Sequence, residues 1–420
     1  MFFQRLAAAA LSAIALAVAA PAASAQTGFK WQLVKHEGRD YIPLENVAQF
    51  YRFQGGLRAV DHRYSFAGSG ASMEMTGGDS REVVINGVRQ WLSFPIIHQG
   101  DQLLVSRFDL AKTLDPALRP AVIPEVKPFR TIVLDAGHGG TDRGAKSVTG
   151  FEKDYTLDVV RDLKKQLETA GFRVRLTRDD DAFISLEQRA EQANQENDAI
   201  FVSVHFNHSV GAGAVNANGI EVYAMTPRGA PSTQDTVPML DVLKDLPANA
   251  VDNASLALAT AVHHSLLGHI PHTDRGVKRA RFVVLKMCKL PSVLIEGGFL
   301  SNPNESQQIN DAKWRHQLAE SIVTGLQAYQ QLAEKKQSPR LLADYRMERL
   351  PTAGRIVDPD AVARATTPAV LPTSNVFADS SAHLMPEAAT LSPATPAAAA
   401  APSATPTPAP APKADPGMSL

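Results

Sequence analysis

Residues 131–152 read TIVLDAGHGGTDRGAKSVTGFE. A short apolar run from Thr131 to Leu134 ends in Asp135 and then breaks into glycines around one histidine: Gly137, His138, Gly139, Gly140. Such a run, stopped by glycine, predicts a buried strand whose C-terminal end opens into a loop. In open α/β sheets that edge is where ligands bind. The glycines let the backbone turn tightly and leave room beside the imidazole, so His138 is presented rather than packed. Taken alone, the stretch reads equally well as a turn with an incidental histidine.

Three further segments change that balance. Glu152 follows a second glycine-bearing loop and stands just before a helix-like run, Tyr155 to Leu167. His205 lies at the end of another expected strand, Ala199–Val204, and Glu296 ends a third, Ser292–Ile295. Three strand ends and a helix start thus each deliver one metal-competent or proton-transferring side chain. Two histidines and a carboxylate form a catalytic zinc set with the fourth position left to water, and a further glutamate supplies a general base. On this reading His138, Glu152 and His205 hold Zn2+, while Glu296 takes the proton of water and passes it to the departing amine. Asp135 either orients His138 or caps the loop. Asn207 contacts substrate or makes a structural hydrogen bond. His208, His263, His264, His269 and His272 have ordinary surface or helix-face explanations, and Arg178 and Arg189 are expected in structural ion pairs.

The blocks LDAGHGGTDRGA, FEKD, LTRDDD, SVHFN, GIEVY, RGVKRARFVVLK and LIEGGFLSNPNE follow one another in this order. In this the chain resembles the zinc-dependent N-acetylmuramoyl-L-alanine amidases of bacterial cell walls, from about residue 129 to 332. The resemblance gives His138, Glu152, His205 and Glu296 the same roles. It implies hydrolysis of the amide between N-acetylmuramic acid and L-alanine in peptidoglycan, for wall remodelling or daughter-cell separation. Two rivals stand beside it. A zinc carboxypeptidase or other zinc peptidase also uses two histidines and a glutamate, but places the first histidine and the glutamate only a few residues apart; here 14 residues separate them. A non-catalytic wall-binding protein would be marked by loss of a ligand or of the base, and all four residues are present.

Around this centre the 420 residues divide by composition. Lys plus Arg (42) nearly balances Asp plus Glu (43), so no global field points to nucleic acid or an anionic membrane surface. Residues 1–25 read as a signal peptide: Arg5, then the apolar Leu6–Ala19, then the small-residue site Ala23-Ser24-Ala25. The run is too alanine-rich and short for the roughly 20 strongly apolar residues of a span, so no stable membrane anchor is expected after cleavage. The destination is the periplasm, or secretion to the cell wall. The single cysteine, Cys288, excludes an internal disulfide and reads as a small hydrophobe.

Residues 28–120 read as a small α+β domain of short β-prone pieces between turns. RDYIPLENVAQFY and DQLLVSRFDLAKTL share a strand-then-helix pattern that suggests a weak duplication. The domain weakly resembles the one named after the N-terminal region of copper amine oxidases, as a wall-binding or packing module. Residues 121–129, in a proline-bearing stretch, would be a linker. Residues 130–335 alternate helices with β-rich runs, which implies an α/β fold: a mostly parallel twisted sheet with helices on both faces. Phe282–Leu285 is among its expected strands. Residues 336–420, rich in Ala, Pro and Thr, are expected to be disordered. An unrestrained wall amidase endangers its cell, so some restraint is expected, with a protein activator as one candidate means. Residues 226–252, with a helix candidate at Val237–Leu246, are a candidate cover for the zinc, Asp241 or Asp245 filling its open position, or else an ordinary surface loop.

Overall fold

The computed structural model describes residues 29–58, 63–68, 70–76, 80–233, 242–335 and 346–349. The expected signal peptide and most of the expected tail lie outside the described residues. Among the described residues, no helix is long and apolar enough to cross a membrane.

The chain opens with a hairpin of β1 (Lys30–His36) and β2 (Arg39–Pro43), turned at Glu37 and Gly38, which adopt φ of 46° and 80°. Helix α1 (Leu44–Tyr51) follows, then an antiparallel meander of β3 (Gln54–Arg58), β4 (Arg63–Gly68), β5 (Ala71–Thr76), β6 (Glu82–Ile85) and β7 (Val88–Trp91). A second hairpin, β8 (Ile97–Gln99) and β9 (Gln102–Ser106), runs into helical turns spanning Arg107–Asp109, Leu110–Leu114 and Asp115–Leu118. Strands β2 and β9 pair antiparallel, Tyr41 opposite Ser106. The two strand-then-helix units legible as a duplication therefore lie side by side in one sheet. Trp31, Ile42, Leu44, Val47, Leu103, Leu110 and Leu114 fill the core between them.

Residues 121–129 are no free linker. Val122, Ile123, Val126 and Phe129 are buried, and the Phe129 ring stacks on Phe172 with centroids 5.8 Å apart. The prolines interrupt regular structure there, while the apolar residues between them still find the core. Full burial of such side chains stabilises by roughly 1.5–3 kcal/mol each, ample to hold the segment down.

The second unit comprises β10 (Thr131–Ala136), α2 (Glu152–Thr169), β11 (Arg173–Leu176), α3 (Leu186–Asn194), β12 (Ala199–Asn207), β13 (Ile220–Met225), α4 (Asp252–His269), β14 (Asp274–Ala280), α5 (Val283–Lys286), β15 (Ser292–Phe299), α6 (Pro303–Asn310) and α7 (Ala312–Glu334). Strands β11, β10, β12 and β15 are parallel neighbours. Strand β13 runs antiparallel to β15, and β14 parallel to β13. Alternate residues of β10 point to opposite faces: Ile132 and Leu134 meet the core under α2, α4 and α7, and Val133 meets the core under α3 and α5. A strand covered on both sides has no polar alternation to show, which is why TIVL reads as one apolar run. Burial pushes the Cys288 thiol up to about 12, as suits a packed hydrophobe.

Two elements differ from the sequence expectation. Phe282–Leu285 is not a strand; α5 occupies Val283–Lys286. A four-residue apolar run carries no period with which to tell the two apart. Strand β14 was not expected, because DRGVKRA is rich in charge. Lys278 and Arg279 are buried but matched: Lys278 Nζ donates to Glu221 Oε2 at 2.6 Å, and the Arg279 guanidinium binds the carbonyls of Met225, Asp252 and Lys112.

The two units share one sheet. Strand β7 pairs parallel with β14, Gln90 opposite Val277, which extends the sheet to eleven strands ending at β3. Gln90 Nε2 donates to Thr260 Oγ1 at 3.0 Å, Trp91 Nε1 to Arg275 O at 3.0 Å, and Lys112 Nζ to Asp252 Oδ1 at 2.8 Å. Beyond α7, β16 (Arg346–Arg349) pairs parallel with β1.

The antiparallel direction of β13 decides where residues 226–252 emerge. Glu221, near its start, lies opposite Glu296, whereas Ala224 lies opposite Val293. The segment therefore leaves the sheet at the edge opposite the one carrying His205 and Glu296. Its ends are stitched together there, Gly229 N to Val242 O at 2.9 Å and Arg228 Nε to Leu243 O at 2.7 Å. The described ends place no cover over the histidines, and Asp245 is exposed. Residues 234–241, including Asp241 and the first half of the expected helix Val237–Leu246, lie outside the described residues.

Candidate metal centre

Strand ends and one helix start bring three of the expected side chains together. His138, Glu152 and His205 each offer a ligand atom, all within 4.8 Å of one another. His205 Nδ1 lies 3.0 Å from Glu152 Oε1, and His138 Nε2 lies 3.1 Å from Glu152 Oε2 without hydrogen-bond alignment. The two imidazoles meet edge to face, centroids 5.0 Å apart.

The local backbone explains how so tight a cluster forms. His138 sits at φ 61°, a left-handed conformation that a non-glycine residue adopts only where its surroundings impose it. The imposing groups are visible: Arg189 Nη2 donates to His138 O at 2.6 Å, and Arg178 donates to the carbonyls of Ala136 and Gly137. Two glycines supply the space. A Cβ on Gly137 would stand 2.3 Å from His205 Cε1, and one on Gly144 would stand 2.6 Å from both Glu152 Oε2 and His138 Cδ2. Glu152 enters from the first turn of α2, where acidic residues complement the helix dipole. Its carboxylate is aimed by two backbone donors, Ala145 N at 2.9 Å and Phe206 N at 3.1 Å.

Asp142, four residues after His138, is the imidazole's partner: its Oδ2 lies 2.8 Å from Nδ1. This frees Nε2, which is buried and makes no hydrogen bond among the described residues. Burial works to lower the His138 pKa, but Asp142 and Glu152 outweigh it and raise it to about 10. Burial likewise opposes ionisation of Glu152, yet the two imidazoles hold its carboxyl well below the usual range. An orphaned buried ring nitrogen, a second imidazole, a carboxylate kept ionised and a cradle cleared by glycines suit a small dication of the zinc type. Asp142→Ala is expected to weaken metal binding at this cluster by about 10–100-fold, the usual effect of losing a partner that orients a ligand; competition with a chelator measures it.

Asp135 touches neither imidazole. It is fully buried beneath the loop, with Oδ1 accepting from Arg189 Nη1 at 2.7 Å and Thr177 Oγ1 at 2.6 Å, and Oδ2 from Ser203 Oγ at 2.7 Å. Its influence on His138 passes through Arg189 and the backbone. Arg189→Met strands that buried carboxylate and is expected to cost about 3–5 kcal/mol of stability, readable by denaturant unfolding. Arg178, expected in an ion pair, instead donates to the backbone carbonyls of Ala136, Gly137, Lys153 and Asp180.

Glu296 lies beside this cluster, opposite His205 across β12 and β15. Its Oε2 is shut off from solvent and makes no hydrogen bond among the described residues. Burial, then the carboxylates of Glu152 and Glu221, push its pKa well above the ordinary carboxylate value. Glu221, opposite it on β13, behaves in reverse: Lys278 and Arg275 outweigh burial and keep it ionised. Asn207 Nδ2 donates to Glu221 Oε1 at 2.6 Å, a structural bond. His263 is likewise structural, with Nε2 2.7 Å from Asp274 Oδ1. Sequence reasoning missed Asp142 and Glu221. The signal for the second was present, since a charge inside the apolar run GIEVY needs a buried partner.

This geometry meets the comparisons with known proteins. The profile of the N-acetylmuramoyl-L-alanine amidase family matches residues 132–328, from β10 to within α7. AmiC of Neisseria meningitidis, an N-acetylmuramoyl-L-alanine amidase by name, is 33% identical over 219 residues, 47% of this chain and 52% of AmiC. YqiI of Bacillus subtilis is 31% identical over 220 residues, 52% of this chain and 93% of YqiI. The chain belongs to this amidase family. It spans only about half the length of AmiC, and little more of the staphylococcal LytH relatives, at 58%. A crystal structure of an N-acetylmuramoyl-L-alanine amidase from Clostridium difficile is 32% identical and aligns with 48% of this chain and 97% of its own, at a TM-score of 0.40. The family match covers the unit that carries the candidate metal centre, while residues 29–131 lie outside it.

Proposed function

We propose that this protein is a zinc-dependent N-acetylmuramoyl-L-alanine amidase, exported to the periplasm or the cell wall, where it opens the amide between N-acetylmuramic acid and L-alanine in peptidoglycan. The observation that carries this reading is the convergence of His138, Glu152 and His205 within 4.8 Å, with Glu296 on the neighbouring strand. A zinc ion held by those three side chains supplies a Lewis acid for the scissile carbonyl and lowers the pKa of water to about 7.

The remaining work falls to the chain's own groups. Asp142 fixes the His138 ring so that Nε2 faces the cluster. The amides of Ala145 and Phe206 fix the Glu152 carboxylate. Glu296 takes the proton of the attacking water and returns it to the alanine nitrogen as the amide breaks. A carboxyl whose pKa burial raises above the ordinary carboxylate value is a stronger base than a free one, which suits it to take that proton. The family's use in wall remodelling or cell separation belongs to this reading, as do a cleaved signal peptide at 1–25 and a wall-binding or packing role for residues 28–120. A protein activator belongs to it too, although the described ends of residues 226–252 supply no lid for such a partner to lift.

Digestion of purified sacculi followed by mass spectrometry tests the reaction. Free stem peptides beside intact glycan are expected, with loss of release on chelation and recovery on adding zinc. Shortened peptides with the lactyl amide untouched would favour a zinc carboxypeptidase instead.

A further inference from the structure

We propose that Trp91, on the N-terminal unit, is a positioning residue for the hydrolytic site: it braces the Lys278 ammonium and the backbone of Arg275, the two residues whose side chains hold Glu221 in place behind Glu296. The proposal rests on the reading of Glu296 as the base.

Glu221 and Glu296 are directly opposed on antiparallel β13 and β15, which brings their Cβ atoms to about 5 Å on one face of the sheet. Two carboxylates so close repel unless one of them is matched. Glu221 is matched completely. Its Oε2 accepts from Lys278 Nζ at 2.6 Å and Arg275 Nε at 2.7 Å, and its Oε1 from Tyr223 OH at 2.8 Å and Asn207 Nδ2 at 2.6 Å. With 1% of its surface exposed, Glu221 is a fixed wall against which Glu296 is set. Glu296 Oε2 has no hydrogen bond of its own to hold it, so its placement depends on such neighbours.

Both residues meet one indole, Lys278 through its ammonium and Arg275 through its backbone carbonyl. Trp91 Nε1 donates to Arg275 O at 3.0 Å, and the Lys278 ammonium lies 5.6 Å from the Trp91 ring centroid, within cation–π range. Trp91 is the last residue of β7, the strand joined to β14 through Gln90 and Val277. A path of direct contacts thus runs from the N-terminal unit through Trp91, Arg275 and Lys278 to Glu221, and across one strand pair to Glu296. Ordinary packing between two units would end at the Trp91 contact. This one continues into the group that walls the base.

The test uses the full mature chain in five forms: unaltered, W91A, W91F, K278M and W91A/K278M. For each, kcat and KM are measured on a soluble N-acetylmuramoyl pentapeptide, with zinc content and Tm followed in parallel. W91A is expected to lower kcat about tenfold, below the about hundredfold that a 1 Å misplacement causes, with KM and zinc content unchanged. W91F keeps a ring beneath Lys278 and falls between W91A and the unaltered protein. K278M, which removes a direct partner of Glu221, loses at least as much as W91A, and the double variant loses less than the product of the two single losses, because both act through Glu221. A folded, zinc-loaded W91A with unaltered kcat would overturn the proposal, as would losses that multiply in the double variant. Should W91A not fold, W91F with unaltered kcat overturns it alone. Failure of the unaltered protein to cleave the lactyl amide would remove the amidase reading itself, a result distinct from an active enzyme indifferent to Trp91.

Discussion

His205→Ala is expected to lose stoichiometric zinc and all measurable release of stem peptide from sacculi. His205 stands at the C-terminal end of β12 with Nδ1 3.0 Å from Glu152 Oε1, and it makes the second nitrogen donor of the cluster. No other histidine or acidic residue joins that cluster among the described residues. Removing it leaves one imidazole and one carboxylate, and the loss should exceed the about 10–100-fold that outer partners such as Asp142 contribute to metal affinity. His138→Ala should behave alike. Metal analysis of the purified variants, beside a digest, checks both. A zinc-loaded and active His205→Ala protein would mean that the metal, if any, is held elsewhere.

Glu296→Gln is expected to retain zinc while losing at least about a hundredfold in turnover, the usual span of general-base catalysis. The amide keeps the shape of the carboxyl but accepts no proton. Glu296 sits one strand away from His205 and outside the three-residue cluster, so the cluster should survive the change. Glu152 carries the opposite expectation. Its two oxygens face the two imidazoles, and Glu152→Gln should lose metal along with activity. If Glu296→Gln lost zinc and Glu152→Gln kept it, the assignment of ligand and base would be reversed.

The metal cluster was legible because its chemistry coincides with strong local signals. Apolar runs stopped by glycine announce strand ends, and strand ends are where an α/β sheet presents ligands. Gly137 and Gly144 clear space for imidazole and carboxylate, and such crowding is written into sequence only as glycine. Other features were hidden for physical reasons. Strand β14 carries Arg275, Lys278 and Arg279, and a reading by hydrophobic period discards such a segment. Lys278 and Arg279 are buried, and Arg275 half-buried, because Glu221 and backbone carbonyls on neighbouring elements match them. No short-range pattern reports a partner 57 residues away. The direction of β13 was hidden as well, since nothing in GIEVYAM distinguishes a strand parallel to its neighbour from one antiparallel. That direction moves the exit of residues 226–252 to the far edge of the sheet. The union of the two units through Gln90 and Val277 is of the same kind: a pairing between strands distant in sequence.

Anomalous diffraction at the zinc edge, on crystals of the purified mature protein, tests the central claim most directly. One zinc per chain is expected, within about 2.0–2.2 Å of His138, Glu152 and His205, with Glu296 beside it and not bound to it. A zinc bound elsewhere, or these three side chains closed on one another in zinc-saturated crystals, would contradict it.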